Sequence, residues 1–239
     1  MKVLILNSGI GSRMGTLTEK SPKCLVNIID DTTILDNQLQ IISTSGIKDV
    51  VITTGPFGNM IEDYINDRYP QLHIKYVKNE IYNTTNYIFS IVLAKELLHD
   101  DIILMHGDLV FNDSVFYNII NCENSSMVIN KLIPLPEKDF KAEIINERIV
   151  KVSIDSFTNA VAALPLYKIN KSDWGLWLEK MIEDCSQGLT KVYAEYSLNQ
   201  ILDKFELKGF DIGENICGEV DTLDDLNHMR ELLERKELK

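Results

Sequence analysis

Apolar positions along the chain switch repeatedly between two periods, and the switching predicts an α/β fold. A short continuous run, Val3-Leu4-Ile5-Leu6, has the length and flanks of a buried strand. Ile34, Leu35, Leu39, Ile41 and Ile42 then recur at helical spacing and stop at Gly46, a residue type that ends helices by entering the left-handed region. Val50-Val51-Ile52 reads as the next strand, Met60, Ile61, Tyr64 and Ile65 as a second helix, and Leu72, Ile74 and Tyr76 as an alternating third strand. A third helix is predicted over 86–98, leading into the strand Ile102-Ile103-Leu104-Met105. Strands alternating with helices in this way build a mostly parallel sheet with helices on both faces.

The pattern changes after Asp113. Apolar segments over 127–133, 140–145, 149–154 and 161–167 are short and separated by Pro, Asn and Glu, which predicts a small antiparallel insertion on the substrate side. Helices return over 171–185 and 195–204, a last strand runs up to Val220, and a closing helix is predicted over 223–238 with Leu226, Met229, Leu232 and Leu233 inward. No internal repeat or low-complexity stretch interrupts the chain, so one domain over 1–239 is expected.

With 239 residues, 45% of them hydrophobic, the chain can bury one large core. A net charge of −12 disfavours nucleic acid and anionic membranes as partners. An anionic small substrate must therefore meet locally concentrated cations. The cysteines Cys24, Cys122, Cys185 and Cys217 are far apart and form no C-x-x-C, so reduced structural thiols are expected. The N-terminal apolar run is too short for a signal peptide and no segment approaches the length of a membrane span, which makes the cytoplasm the expected location.

Candidate chemistry begins where the first strand ends, at Asn7-Ser8-Gly9-Ile10-Gly11-Ser12-Arg13-Met14-Gly15. Glycines let the backbone approach a ligand closely, so several N–H groups can converge on phosphate oxygens. Arg13 adds a planar fork of donors, and Lys23, presented after the rigid Pro22, adds a compact point charge. The loop is neither the dinucleotide G-x-G-x-x-G, because the third glycine falls at Gly15 instead of position 14, nor a phosphate loop ending in G-K-[ST].

Gly9-x-Gly11-Ser12-Arg13, Leu17-Thr18 and Pro22-Lys23, followed by Gly107-Asp108 and Glu219-Val220-Asp221-Thr222-x-x-Asp225-Leu226, resemble the signature of the nucleotidylyltransferases. Those enzymes join a nucleoside triphosphate to a sugar phosphate or small phosphomonoester and release pyrophosphate. One departure is Asn7-Ser8, where the family usually carries two alanines. The resemblance implies the Rossmann-like nucleotide-diphospho-sugar transferase fold. It implies catalytic roles for Arg13 and Lys23, and nucleotide contacts from Asn7, Ser8, Gly9, Gly11 and Ser12. Asp108 and Asp221 would hold one Mg²⁺. Read from position alone, Asp108 could equally turn the chain and Asp221 cap the last helix. His106 is expected to support the site or the fold rather than ligate, and Glu219 either orients the site or is a solvated glutamate at a strand end.

The Asn83-Thr84-Thr85-Asn86 stretch ahead of a helix could read a pyrimidine edge, and Asn86-x-x-x-Ser90 resembles the segment near the base in phosphocholine cytidylyltransferases; helix capping is compatible with both. On the acceptor side Lys141 is the preferred phosphate contact, with Lys131 and Lys138 as its rivals. A quaternary cation would call for an aromatic or acidic cage, for which Tyr82, Tyr87, Tyr167, Tyr193 and Glu195 are candidates. Trp174 and Trp177, at helical spacing, read as core. The whole pattern looks closest to phosphocholine and phosphonate cytidylyltransferases of surface-modification pathways. That implies CTP and a small phosphomonoester or phosphonate, giving a CDP- or CMP-linked product, in a monomer or homodimer. The alternatives are a uridylyl- or thymidylyltransferase acting on a hexose 1-phosphate, and a nucleotide-binding regulator without activity.

Overall fold

The computed structural model describes residues 1–237, so position 238 of the predicted last helix lies outside the described residues. Strands β1 (Lys2–Asn7), β4 (Asp49–Thr54), β5 (His73–Lys78) and β6 (Ile102–His106) are the four predicted runs. They pair in parallel in the order β5-β4-β1-β6. Successive β1 residues serve opposite faces: Leu4 joins one apolar layer while Val3 and Ile5 join the other. Leu6 lies opposite His106 and Asn7 opposite Thr54, so the loops leaving β1, β4 and β6 emerge along one edge. Open α/β sheets bind ligands there.

Helices cover both faces. α1 (Ile34–Thr44), α2 (Gly58–Arg68) and α4 (Asp113–Ile120) bury Leu35, Leu39, Ile61, Ile65 and Phe116 on one side. α3 (Tyr87–Leu93), α5 (Lys171–Ser186) and α6 (Ala194–Asn199) bury Ile88, Ile91, Trp174, Trp177 and Leu198 on the other. The two tryptophans are core, as their spacing predicted. α1 starts on a reciprocal box in which Thr33 Oγ1 accepts from Asp36 N at 3.0 Å and Thr33 N donates to Asp36 Oδ2 at 3.0 Å. It ends ahead of Gly46 at φ +87.

The antiparallel strands do not form a separate layer but continue the same sheet. β8 (Ser126–Asn130), β9 (Lys141–Ile145), β10 (Arg148–Ser153) and β11 (Ala160–Ile169), together with β12 (Lys208–Asp211), extend it to nine strands in the order β5-β4-β1-β6-β11-β8-β12-β10-β9. β11 pairs with β6, β8 and β9, and its register on β8 shifts between Ala163 and Tyr167, around Pro165, which has no N–H for the ladder. β12, parallel to β8, was not predicted because Lys-Gly-Phe-Asp carries no alternation. It fits there because a Cβ at Gly209 would meet Ile129 Cδ1 at 2.6 Å.

Three further elements escaped the sequence reading: α4, the hairpin β2 (Asn27–Ile29) with β3 (Thr32–Thr33), and β7 (Leu109–Phe111). β7 pairs with β13 (Cys217–Glu219), which delivers the chain to α7 (Leu223–Glu237). The predicted helix over 86–98 is α3 followed by a separate 3₁₀ turn at Lys95–Leu97.

Candidate active site

The glycine loop lies where β1 ends. Gly11 sits at φ +65, and a Cβ on it would approach Lys23 Cβ to 2.9 Å, so glycine is what lets the loop rest on the lysine stem. Thr18 Oγ1 donates to Gly11 O at 2.8 Å and closes the loop. Pro22, at φ −67, leads Lys23 into a 3₁₀ turn in which Leu25 N donates to Pro22 O and Val26 N to Lys23 O, each at 3.0 Å.

Asp108 follows β6 and Asp221 lies between β13 and α7. Gly107 N donates to Leu6 O at 3.0 Å and Val220 N to Asp108 O at 3.0 Å, lacing the two acidic segments to each other and to β1. The helix-capping task read for Asp221 falls to its neighbours. Asp225 Oδ2 accepts from Asp221 N, Thr222 N and Thr222 Oγ1, and Thr222 Oγ1 accepts from Asp225 N. The Asp221 carboxylate is thereby left to face the loop.

Lys23 Nζ lies between the two acids, 2.5 Å from Asp108 Oδ2 and 2.7 Å from Asp221 Oδ1, and the 62% exposed Arg13 reaches Asp221 Oδ2 at 2.9 Å. Burial pulls the Lys23 ammonium down, but the two carboxylates outweigh it and hold the group above its ordinary value. Burial pushes Asp108 up, yet Lys23 and then His106 prevail and keep it below the usual carboxylate range. His106 Nδ1 lies 3.2 Å from Glu219 Oε1, and burial, reinforced by Asp108 and Asp221, pushes Glu219 up to about 7 despite His106.

Three adjoining cavities share these residues. The first, about 330 Å³, is lined by Gly9, Gly11, Ser12, Arg13, Lys23, Asp108 and Asp221, with Asn7 at its back. The second, about 200 Å³, adds Ser8, Asn79, Tyr82, Thr85, Asn86 and Ser90. The third, about 230 Å³, opens from Arg13, Asp108 and Asp221 onto Tyr87, His106, Lys138, Asp139, Phe140 and Tyr193. Its rings pack edgewise: Tyr87 on His106 at 4.8 Å and Phe140 on Tyr193 at 5.3 Å.

Several expected contacts fall elsewhere. Lys141 is 0% exposed and its ammonium donates to Ile154 O at 2.6 Å, Asp139 O at 3.0 Å and Glu137 O at 3.4 Å, so it ties two loops together instead of facing the cavity. Lys131 is 55% exposed and pairs with Asp211 at 3.8 Å away from the three cavities. Lys138, the rival, lines the third cavity. Glu195 is 1% exposed; Tyr167 Oη donates to it at 2.7 Å and Tyr87 Oη donates to its other oxygen, so it holds the aromatic wall from behind. Asn83 is exposed and lines none of the three cavities. Asn86 lines the second and third, and its Oδ1 accepts from Tyr87 N at 2.7 Å.

Asn79 was missed. Its amide donates to Thr85 Oγ1 and Ser90 Oγ at 3.0 Å each and organises the second cavity. Its signal was its place at the C-terminal end of a predicted strand. Phe140 and Asp139 were also missed, because their neighbour Lys141 drew the reading.

A cavity that gathers two cations and two carboxylates, from the loops that follow β1 and β6 and from the segment between β13 and α7, makes this an α/β protein with a site suited to phosphate-bearing ligands. The sequence pattern of one family, described as nucleotidyl transferase, matches residues 2–131, and the chain belongs to that family. Among known proteins it is similar to the CMP-5'-(3-aminopropyl)phosphonate synthase of Streptomyces rubellomurinus, with 30% identity over 128 residues, 54% of this chain and 20% of that protein. It is also similar to the CTP:phosphoglutamine cytidylyltransferase of Campylobacter jejuni, at 27% over 55% of this chain and 53% of that protein. The chain thus spans about half, or less, of the length of these relatives. The choline-phosphate cytidylyltransferase of Haemophilus influenzae is 24% identical over 98% of this chain and 97% of its own length. A solved CTP:phosphocholine cytidylyltransferase from Streptococcus pneumoniae superposes with a TM-score of 0.82 over 97% of this chain and 98% of its own, at 19% identity, which shows the shared fold.

Proposed function

We propose that the chain is a Mg²⁺-dependent cytidylyltransferase, joining the cytidylyl group of CTP to a small phosphomonoester or phosphonate of the phosphocholine type and releasing pyrophosphate. The observation that carries this reading is the meeting of the phosphate cavity and the aromatic-walled cavity at Arg13, Asp108 and Asp221. A nucleotide α-phosphate and an acceptor phosphate can approach each other only at such a junction. An oxygen of the acceptor forms a bond to the α-phosphorus as the bond from that phosphorus to the bridging oxygen breaks, and pyrophosphate leaves in line. Backbone N–H groups over Gly9–Ser12 receive phosphate oxygens, while Arg13 and Lys23 stabilise the charge gathering on the leaving group. The base occupies the cavity of Ser8, Asn79, Thr85, Asn86 and Ser90.

The family generally uses a divalent metal. Asp108 and Asp221 suit Mg²⁺: both offer hard oxygen donors, and Asp108 Oδ1 is buried with no hydrogen-bond partner of its own. When bound, the ion supplies neutralisation of two approaching anions. On the acceptor side Tyr87, Phe140 and Tyr193, with the carboxylate of Asp139, suit an organic cation better than a neutral hexose. Four of the relatives are named for choline phosphate or an aminoalkylphosphonate. No helix among the described residues is long and apolar enough to cross a membrane, which is compatible with work on the cytoplasmic nucleotide pool.

The test is pyrophosphate release with Mg²⁺, each nucleoside triphosphate being offered with phosphocholine, aminoethylphosphonate and hexose 1-phosphates. CTP with phosphocholine or aminoethylphosphonate supports the reading. UTP or dTTP with a hexose 1-phosphate overturns it, and nucleotide binding without release indicates a regulator.

A further inference from the structure

We propose that Gln38 is a positioning residue that sets the orientation of Asp108, an inference that rests on reading Asp108 as a metal-holding carboxylate. Gln38 lies in α1 and is 0% exposed. Its Nε2 donates to His106 O at 2.9 Å and to Leu109 O at 2.8 Å. One amide therefore grips the carbonyls on either side of Gly107-Asp108. The orientation of that amide is dictated by its partners, since the opposite flip would set Oε1 against two carbonyl oxygens.

Burying a neutral amide in an apolar layer is unfavourable unless hydrogen bonds offset it, and Oε1 has no partner. The two donations are thus the whole compensation for placing glutamine here. The next residue back acts in the same direction: Asn37 Nδ2 donates to Phe111 O at 3.0 Å, and Phe111 N donates to Asn37 Oδ1 at 3.1 Å. With Gly107 N on Leu6 O and Val220 N on Asp108 O, segment 106–111 is held from both sides, and among the described side chains only Gln38 bonds on both sides of Asp108. A carboxylate can serve a small hard ion only if its oxygens are held in place, and partners one step removed from the ion typically contribute about 10–100-fold to its affinity.

The experiment is Mn²⁺ binding in the presence of saturating CTP, followed by electron paramagnetic resonance on the full chain. Wild type is compared with Gln38→Met, Gln38→Asn and Asp108→Asn. CTP affinity without metal and the thermal midpoint are measured alongside. The expected result is Mn²⁺ affinity reduced about tenfold or more in Gln38→Met and Asp108→Asn, a smaller loss in Gln38→Asn, which keeps a shorter amide, and, for the two Gln38 variants, CTP affinity within about twofold of wild type. Gln38→Met that is less stable yet binds Mn²⁺ like wild type would mean that Gln38 only supports the fold, and the inference falls. If Asp108→Asn binds Mn²⁺ like wild type, the reading of Asp108 falls and takes the inference with it. A wild-type protein that takes up no Mn²⁺ with CTP overturns the proposed function itself. Should Gln38→Met not fold, the graded loss in Gln38→Asn decides between the first two outcomes.

Discussion

Replacing Lys141 by methionine separates two uses of a lysine that look identical in sequence. In the structure its ammonium makes two good bonds, to Ile154 O at 2.6 Å and Asp139 O at 3.0 Å, and a weak one to Glu137 O at 3.4 Å. It also lies 4.4 Å from the centre of the Phe157 ring. Methionine keeps the unbranched stem and its packing, so the change removes mainly the charge and its bonds. Hydrogen bonds to a charged group contribute about 1.5–3 kcal/mol each, and relief of the buried charge offsets part of that loss. The half-buried Asp139 carbonyl can also recruit water. A net destabilisation of about 2–3 kcal/mol follows, which for a domain of this size lowers the thermal midpoint by roughly 5–10 °C. Urea unfolding gives the free energy, and steady-state kinetics below the transition give KM for nucleotide and acceptor. A midpoint equal to wild type together with a tenfold rise in acceptor KM would refute this reasoning and return Lys141 to the acceptor.

Lys23→Ala is expected to lower kcat by about 10²–10³-fold, the usual consequence of removing one charge-stabilising donor, with circular dichroism unchanged; turnover near wild type removes Lys23 from the mechanism. Gly11→Ala forces a Cβ onto the Lys23 stem at positive φ, and titration calorimetry should show weaker nucleotide binding along with about 1–2 kcal/mol of lost stability. Burial pushes the Asp36 carboxyl up, but hydrogen bonds from Tyr64, Thr33 and Tyr69 prevail and hold it below its ordinary value. A depressed folded pKa stabilises above the unfolded value near about 3.9 and is lost as pH falls through the folded value. The stability gap between wild type and Asp36→Asn, measured by urea unfolding, should therefore be constant from pH 7 to 5 and shrink below pH 4; a gap independent of pH removes the linkage.

The local architecture was legible because its causes are local. A run such as Val3–Leu6 is a strand because its side chains pack on one face or the other, Val3 to Ile5 fully buried and Leu6 partly, and the stop at Gly46 follows from one residue's freedom at positive φ. The chemistry of the phosphate loop was legible for the same reason: glycines, Arg13 and Pro22-Lys23 carry their properties wherever the chain puts them. Segments Lys208–Asp211 and Asp113–Ile120 were not read, since a four-residue strand with a central glycine and an eight-residue helix are decided by the sheet and layer that receive them. The assignment of polar side chains was likewise tertiary. Lys138 and Lys141 stand three residues apart, and only the folding of 154–157 over the second buries its ammonium among carbonyls while leaving the first at the cavity. Glu195 has the composition of a ligand residue, yet Tyr87 and Tyr167 take both its oxygens from distant strands and helices. Residue type and spacing determined which groups could do chemistry; long-range packing decided which of them face the substrate, because a side chain's partners are chosen by the elements that close around it.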